Sequence, residues 1–207
     1  MTKNKTTIKK FVGIKIISYL YNMKNIYIIV VTILSLTVKS QVIDYQNFKT
    51  ELFNKILFNK VNDYRKKKGL EMFKYSKQSE LLISKVNVTK MVKENKFYHP
   101  KVNILDTVLK GKIINEYLKN EKRQSKIKSQ YVGVDYGEII YCTNSSYKTY
   151  DELAQSCLDG WLNSPKHKEI LDFNFYTNKN LVSSCYILKK SENQFFCTFN
   201  MLSLGVY

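Results

Sequence analysis

Two histidines, one acid set in an apolar run and four cysteines are the residues of this 207-residue chain whose types and positions could do chemistry. His99 lies in Lys96-Phe97-Tyr98-His99-Pro100, a turn-forming stretch, where an imidazole is either a locally bonded loop ring or a ligand. His167 follows Ser164-Pro165, a pair that opens a helix with Ser as its cap and Pro at its first position. The positive end of that helix dipole disfavours imidazolium, which biases His167 towards the neutral ring that can ligate a metal. Glu138, in Gly137-Glu138-Ile139-Ile140, is costly to bury unless it is paired or ligating; facing outward it is an ordinary strand residue.

These residues sit in a chain whose first forty residues read as an address. Residues 1–40 hold Lys but no acid, and the apolar run Ile26–Val38 ends at Lys39-Ser40-Gln41. That run is short of the roughly 20 residues needed to span a bilayer and matches the apolar core of a signal peptide. A signal peptide over 1–40, with Met23 as an alternative start and cleavage near Ser40, is expected; an uncleaved N-terminal anchor is the alternative. The whole chain carries 34 Lys and Arg against 17 Asp and Glu, a net charge of +17. Part of that excess belongs to the leader. Of the basic residues only Arg65 and Arg123 are arginines. Arg is the usual bidentate reader of bases and phosphates, so no specific nucleic-acid partner is expected. With 44% apolar and 14% aromatic residues the chain can build a core, which excludes a disordered polypeptide.

Export sets the expectation for Cys142, Cys157, Cys185 and Cys197. An even number in an exported chain reads as disulfides, with three connectivities open. Taking the turn in LVSSCYILKKSENQFFCTFN as centred on Ser191 places Cys185 opposite Cys197, which leaves Cys142 with Cys157. No CxxC or Cys/His spacing suggests a zinc ribbon.

The elements that must position these groups are helical first and extended last. Phe48, Leu52, Phe53, Ile56, Leu57, Val61 and Tyr64 recur at helical spacing, ending in Arg65-Lys66-Lys67-Lys68-Gly69 with Gly69 as C-cap. Ser76 caps a second helix running to about Asn95. The charged stretch 101–130 reads as a surface connection, and Tyr131–Tyr141 as a strand. Thr149-Tyr150-Asp151-Glu152 is a capping box opening a third helix, Ser164-Pro165 opens a fourth, and a hairpin over 181–203 closes one α+β domain spanning 46–207.

Taken in order, Val61-Asn62-Asp63-Tyr64-Arg65 to Gly69-Leu70, Tyr75, Phe97-Tyr98-His99, Gly137-Glu138-Ile139 and Trp161-Leu162-Asn163-Ser164-Pro165-Lys166-His167-Lys168-Glu169-Ile170-Leu171 resemble the CAP (SCP-like) domain, and its bacterial branch in particular. The resemblance covers nearly all of residues 50–203. It implies a three-layer α–β–α sandwich with a central antiparallel sheet, secreted or held at the cell envelope. It also implies that His99, Glu138 and His167 meet in a cleft binding zinc or another divalent metal. Two departures bear on chemistry. Ile139 stands where the family has Asn, and Ser164 replaces a second Glu found in animal members, which weakens a hydrolytic reading.

The expected function is therefore a secreted binding or interaction module, monomeric, with a basic and aromatic surface for an acidic partner such as anionic lipid, polysaccharide or protein. The alternatives are a metal-dependent hydrolase of protease type and a lipid- or sterol-binding protein. No nucleophile stands in a recognisable motif beside either histidine.

Overall fold

Helix α1 (Thr50–Lys67) buries Phe53, Leu57 and Val61 at helical spacing and then a charged residue, Arg65. Three lysine and arginine residues in its last turn suit the negative end of the dipole. Gly69, at φ +71°, lets the chain reverse: Leu70 N–H donates to the Arg65 carbonyl and Gly69 N–H to that of Lys66. The computed structural model describes residues 41–101, 103, 113, 132–173 and 181–206. The leader expected over 1–40 and nearly all of the connection expected over 101–130 lie outside the described residues.

Strand β1 (Lys74–Tyr75) leads to Ser76, whose hydroxyl accepts from Ser79 N–H and caps the next helical stretch as expected. That stretch is not uniform. It starts as α2 (Lys77–Ser79), widens into a π-helical turn over Glu80–Ser84, and continues as α3 (Lys85–Glu94), closed by Asn95 in the left-handed conformation. Strand β2 (Val132–Thr143), helix α4 (Tyr150–Leu162), helix α5 (Pro165–Asp172) and strands β3 (Leu181–Lys189) and β4 (Phe195–Val206) complete the described elements. The capping box forms as read, with Thr149 and Glu152 each satisfying the other's backbone N–H. Ser164 makes no side-chain cap bond to α5.

The strands form one sheet in the order β1-β3-β4-β2. β3–β4 and β4–β2 pair antiparallel, but β1 runs parallel to β3, so the sheet is mixed rather than wholly antiparallel. The two-residue period divides β2–β4 between two sets of helices. Odd-numbered Ile139, Cys185, Ile187, Cys197, Phe199 and Met201 share a core with Phe53, Leu57 and Val61 of α1 and Leu153, Cys157 and Trp161 of α4. Even-numbered Ile140 and Phe196 pack against Val88 and Met91 of α3. Trp161 Nε1 donates to the Ile140 carbonyl at 2.9 Å, tying α4 to β2.

The β3–β4 register differs from the one on which the expected Cys185–Cys197 pairing rested, and it does not bear on Cys142–Cys157. Cys185 faces Phe199 and Cys197 faces Ile187, because the turn is closed by Lys190 and Gln194 and centres one residue later than Ser191. All four cysteines are free thiols in this structure.

Candidate functional site

Glu138 points to the α3 side of β2, which among the described residues lies at one end of the sheet. Its side chain is only 5% exposed. The cost of burying a carboxylate is met by three donors. Asn87 Nδ2 on α3 makes a short hydrogen bond to Oε1, and Thr198 Oγ1 on β4 donates to the same oxygen at 3.1 Å. His99 Nδ1 lies 3.0 Å from Oε2. A carboxylate accepts, so the Nδ1 of His99 is the donor in this contact and Nε2 points away from Glu138.

The carboxylate stands at one end of a buried polar row. Asn200 Nδ2 donates to Ser84 Oγ at 2.8 Å and to Thr198 Oγ1 at 3.3 Å, and Asn200 Oδ1 accepts from the Tyr136 hydroxyl at 2.6 Å. Ser84 and Ser79 then both meet Ser184 Oγ, at 2.7 and 2.9 Å. Burial, and after it the Glu138 carboxylate, pushes the Tyr136 hydroxyl far above its ordinary range and keeps it a donor. Asn87 Oδ1 alone in this row is buried without a hydrogen-bond partner. Such networks hold their members to one geometry when satisfied.

His167 reaches the same place from α5. Its ring centroid lies 6.5 Å from that of His99, with the rings edge to face. Burial first, and the neighbouring His99 second, lower its pKa below the usual 6.5. Gly137 permits this approach: a Cβ there would meet Met201 Cε at 2.9 Å and Ile170 Cγ2 of α5 at 3.0 Å. The far end of α5 is fixed by Arg65, fully buried, whose Nη1 donates to the carbonyls of Leu171 at 2.6 Å and Phe173 at 3.1 Å and whose Nε donates to Glu71 at 2.7 Å. Tyr64 and Lys68 hold Asp172 at 2.6 and 2.9 Å, and Asn62 pairs with both backbone groups of Phe73. The Asn62-to-Gly69 motif thus braces the helix that carries His167. A cavity of about 520 Å³ opens beside the site, with Tyr136, Gly137, Lys166, Ile170, Phe173 and Met201 in its wall.

Of the three residues expected in the site, His99 and Glu138 touch and His167 faces His99. Among the described residues no three His, Cys, Asp or Glu side chains converge tightly enough to hold a metal ion as they stand. Asn87, Thr198 and Asn200 were not anticipated from sequence. The signal for Thr198 and Asn200 is their alternation in the apolar run Phe195–Leu202, on the face that Glu138 occupies.

No family model matches the chain, and no curated protein is significantly similar to it. Among solved structures, an extracellular protein containing a SCP domain from Bacillus anthracis str. Ames is similar at 17% identity and a TM-score of 0.36, over 72% of this chain and 40% of that one. Among the described residues no helix is long and apolar enough to cross a membrane.

Proposed function

We propose that the chain is an exported binding module of the CAP (SCP-like) kind, an α–β–α sandwich whose functional site is the cleft formed by His99, Glu138 and His167. The observation that carries this reading is the pair of imidazoles facing each other, one bonded to a buried carboxylate and the other held neutral by burial. This donor set suits zinc or a similar divalent ion. His99 Nε2 and His167 would hold the ion, and Glu138 would orient the His99 ring and raise its basicity. A bound ion would supply a Lewis-acidic anchor for a ligand carboxylate or phosphate.

Two protein ligands make a weaker site than three, which fits a module that captures an acidic partner better than one that activates water. The basic surface, net +10 once residues 1–40 are removed, serves the same partner by long-range attraction. A lipid-binding reading is favoured by one observation, the apolar wall of Ile170, Phe173 and Met201 beside the cleft. Calorimetric zinc titration of the full chain and of a His99→Ala/His167→Ala double variant tests the proposal. Wild type should bind zinc and the double variant should not; equal binding shows that the cleft is not the site. Peptide or ester cleavage lost in the double variant would replace the binding reading with a hydrolase.

A further inference from the structure

Tyr136 lies two residues before Glu138 on β2, and from its hydroxyl to the carboxylate the hydrogens have one consistent set of directions. Burial keeps the phenol protonated, so at 2.6 Å from Asn200 Oδ1 it donates. With Oδ1 taken, Asn200 turns its Nδ2 to Ser84 Oγ and Thr198 Oγ1, which commits both amide hydrogens. Thr198 therefore accepts from Asn200, and its single proton is left for Glu138 Oε1 at 3.1 Å; the Ile139 carbonyl, at 3.4 Å, is the more distant acceptor. Thr198 and Asn200 are both 0% exposed and sit on β4, which is paired on either side, so solvent does not compete for these bonds. The Asn200 amide has a second orientation of nearly the same shape. Turned over, it would offer Oδ1 to Thr198 and Ser84. Thr198 would then donate to Asn200 and Glu138 would lose a donor. The phenol proton on Oδ1 is what selects the first orientation.

We propose that Tyr136 is a positioning residue of the histidine cleft, acting through Asn200 and Thr198 to hold Glu138 with Oε2 towards His99. With Asn87 and Thr198 both on Oε1, the plane of the carboxylate is fixed and Oε2 is presented to His99 Nδ1 at 3.0 Å. With Thr198 turned away, Asn87 is the remaining donor on Oε1 and the carboxylate is free to rotate under the ring. Partners behind a metal-ligating histidine set its orientation, so a change at Tyr136 is felt at the cleft through three hydrogen bonds. The inference rests on the zinc reading above for its affinity readout, and stands apart from it in its spectroscopic one.

The test uses the full chain. Nitrogen-resolved NMR without metal, at about pH 8.5 where imidazole is neutral, should show His99 protonated on Nδ1 in wild type and divided between its two nitrogens in Tyr136→Phe. Zinc affinity, measured against a chelating dye, should fall about tenfold in Tyr136→Phe. Thr198→Val should lose at least as much, and Thr198→Ser, which keeps the hydroxyl, should stay near wild type. Because both residues act along one row, the Tyr136→Phe/Thr198→Val double variant should lose no more than Thr198→Val alone. Ile187→Val, in the core on the other face of the sheet, controls for lost stability: it should lower Tm and leave zinc affinity and the His99 ring unchanged. A wild-type ring and zinc affinity in Tyr136→Phe, or additive losses in the double variant, would overturn the proposal. A wild type that binds no zinc, with the His99 ring still altered by Tyr136→Phe, would overturn the zinc reading and uphold the role of Tyr136.

Discussion

Glu138 receives three donors on two oxygens, Asn87 and Thr198 on one and His99 on the other, and only a carboxylate can accept on both sides. Glu138→Gln must turn an NH2 group towards donors at one of those oxygens. The expected result is a loss of about 1–3 kcal/mol in urea unfolding, from the mispaired buried amide. Zinc affinity should fall about tenfold to a hundredfold, because His99 loses the partner that fixes its tautomer. Competition against a chelating dye measures the second effect, and wild-type affinity in the variant would mean that Glu138 does not act through His99. His167 gives a pH prediction. Its pKa is lowered in the folded chain, so the native state binds fewer protons there than the unfolded state. Its contribution is fully present above the ordinary value of 6.5 and is lost as pH falls below it through the folded pKa. Relative to His167→Asn, wild type should lose stability between pH 7 and pH 5; parallel profiles would show that the ring titrates normally.

Helix α5 delivers His167, and two contacts set where it lies: Gly137 beneath it and Arg65 at its end. Gly137→Ala drives a Cβ against Ile170 and Met201. The methionine end can yield and the isoleucine branch less so, so the cost should be near the lower end of the 1–3 kcal/mol range for overpacking. Zinc binding should weaken alongside Tm, because α5 moves relative to β2; a lower Tm with unchanged zinc affinity would separate helix packing from the site. Arg65 illustrates what a sequence pattern can and cannot say. Its place in the Asn62-to-Gly69 run marks it from the sequence, and so do the capping box at Thr149 and the cap at Ser76, because these signals are local. That Arg65 is spent on three backbone carbonyls, two of them beyond residue 170, depends on tertiary contact and is invisible to spacing. The same limit hid Asn87, which is ordinary in its own segment. It also explains the parallel β1: two residues carry no period, and only β3 beside them makes them a strand.

The hairpin register shows how a one-residue error propagates across the molecule. Centring the turn on Ser191 pairs Cys185 with Cys197; the observed centre, one residue later, slides each cysteine opposite a hydrophobic residue and keeps both on the core face. Cys157, Cys185 and Cys197 are then 0% exposed, members of the core shared by α1, α4 and the sheet. Burial pushes the Cys185 and Cys197 thiols well above their usual range, so the reactive thiolate is scarce as well as enclosed. Cys142, half-buried, is raised by burial too but retains access to solvent. In the folded chain an aromatic disulfide reagent should therefore label Cys142 alone, slowly, and the other three only as the shared core opens. Their labelling rates should converge on one value and rise together with urea, because exposing any one of them requires the same global unfolding. Four thiols should be counted in denaturant without reductant. A count of two would mean that one bridge forms on export, and rapid labelling of Cys185 or Cys197 in the native chain would mean that the sheet does not pack on α1 as described.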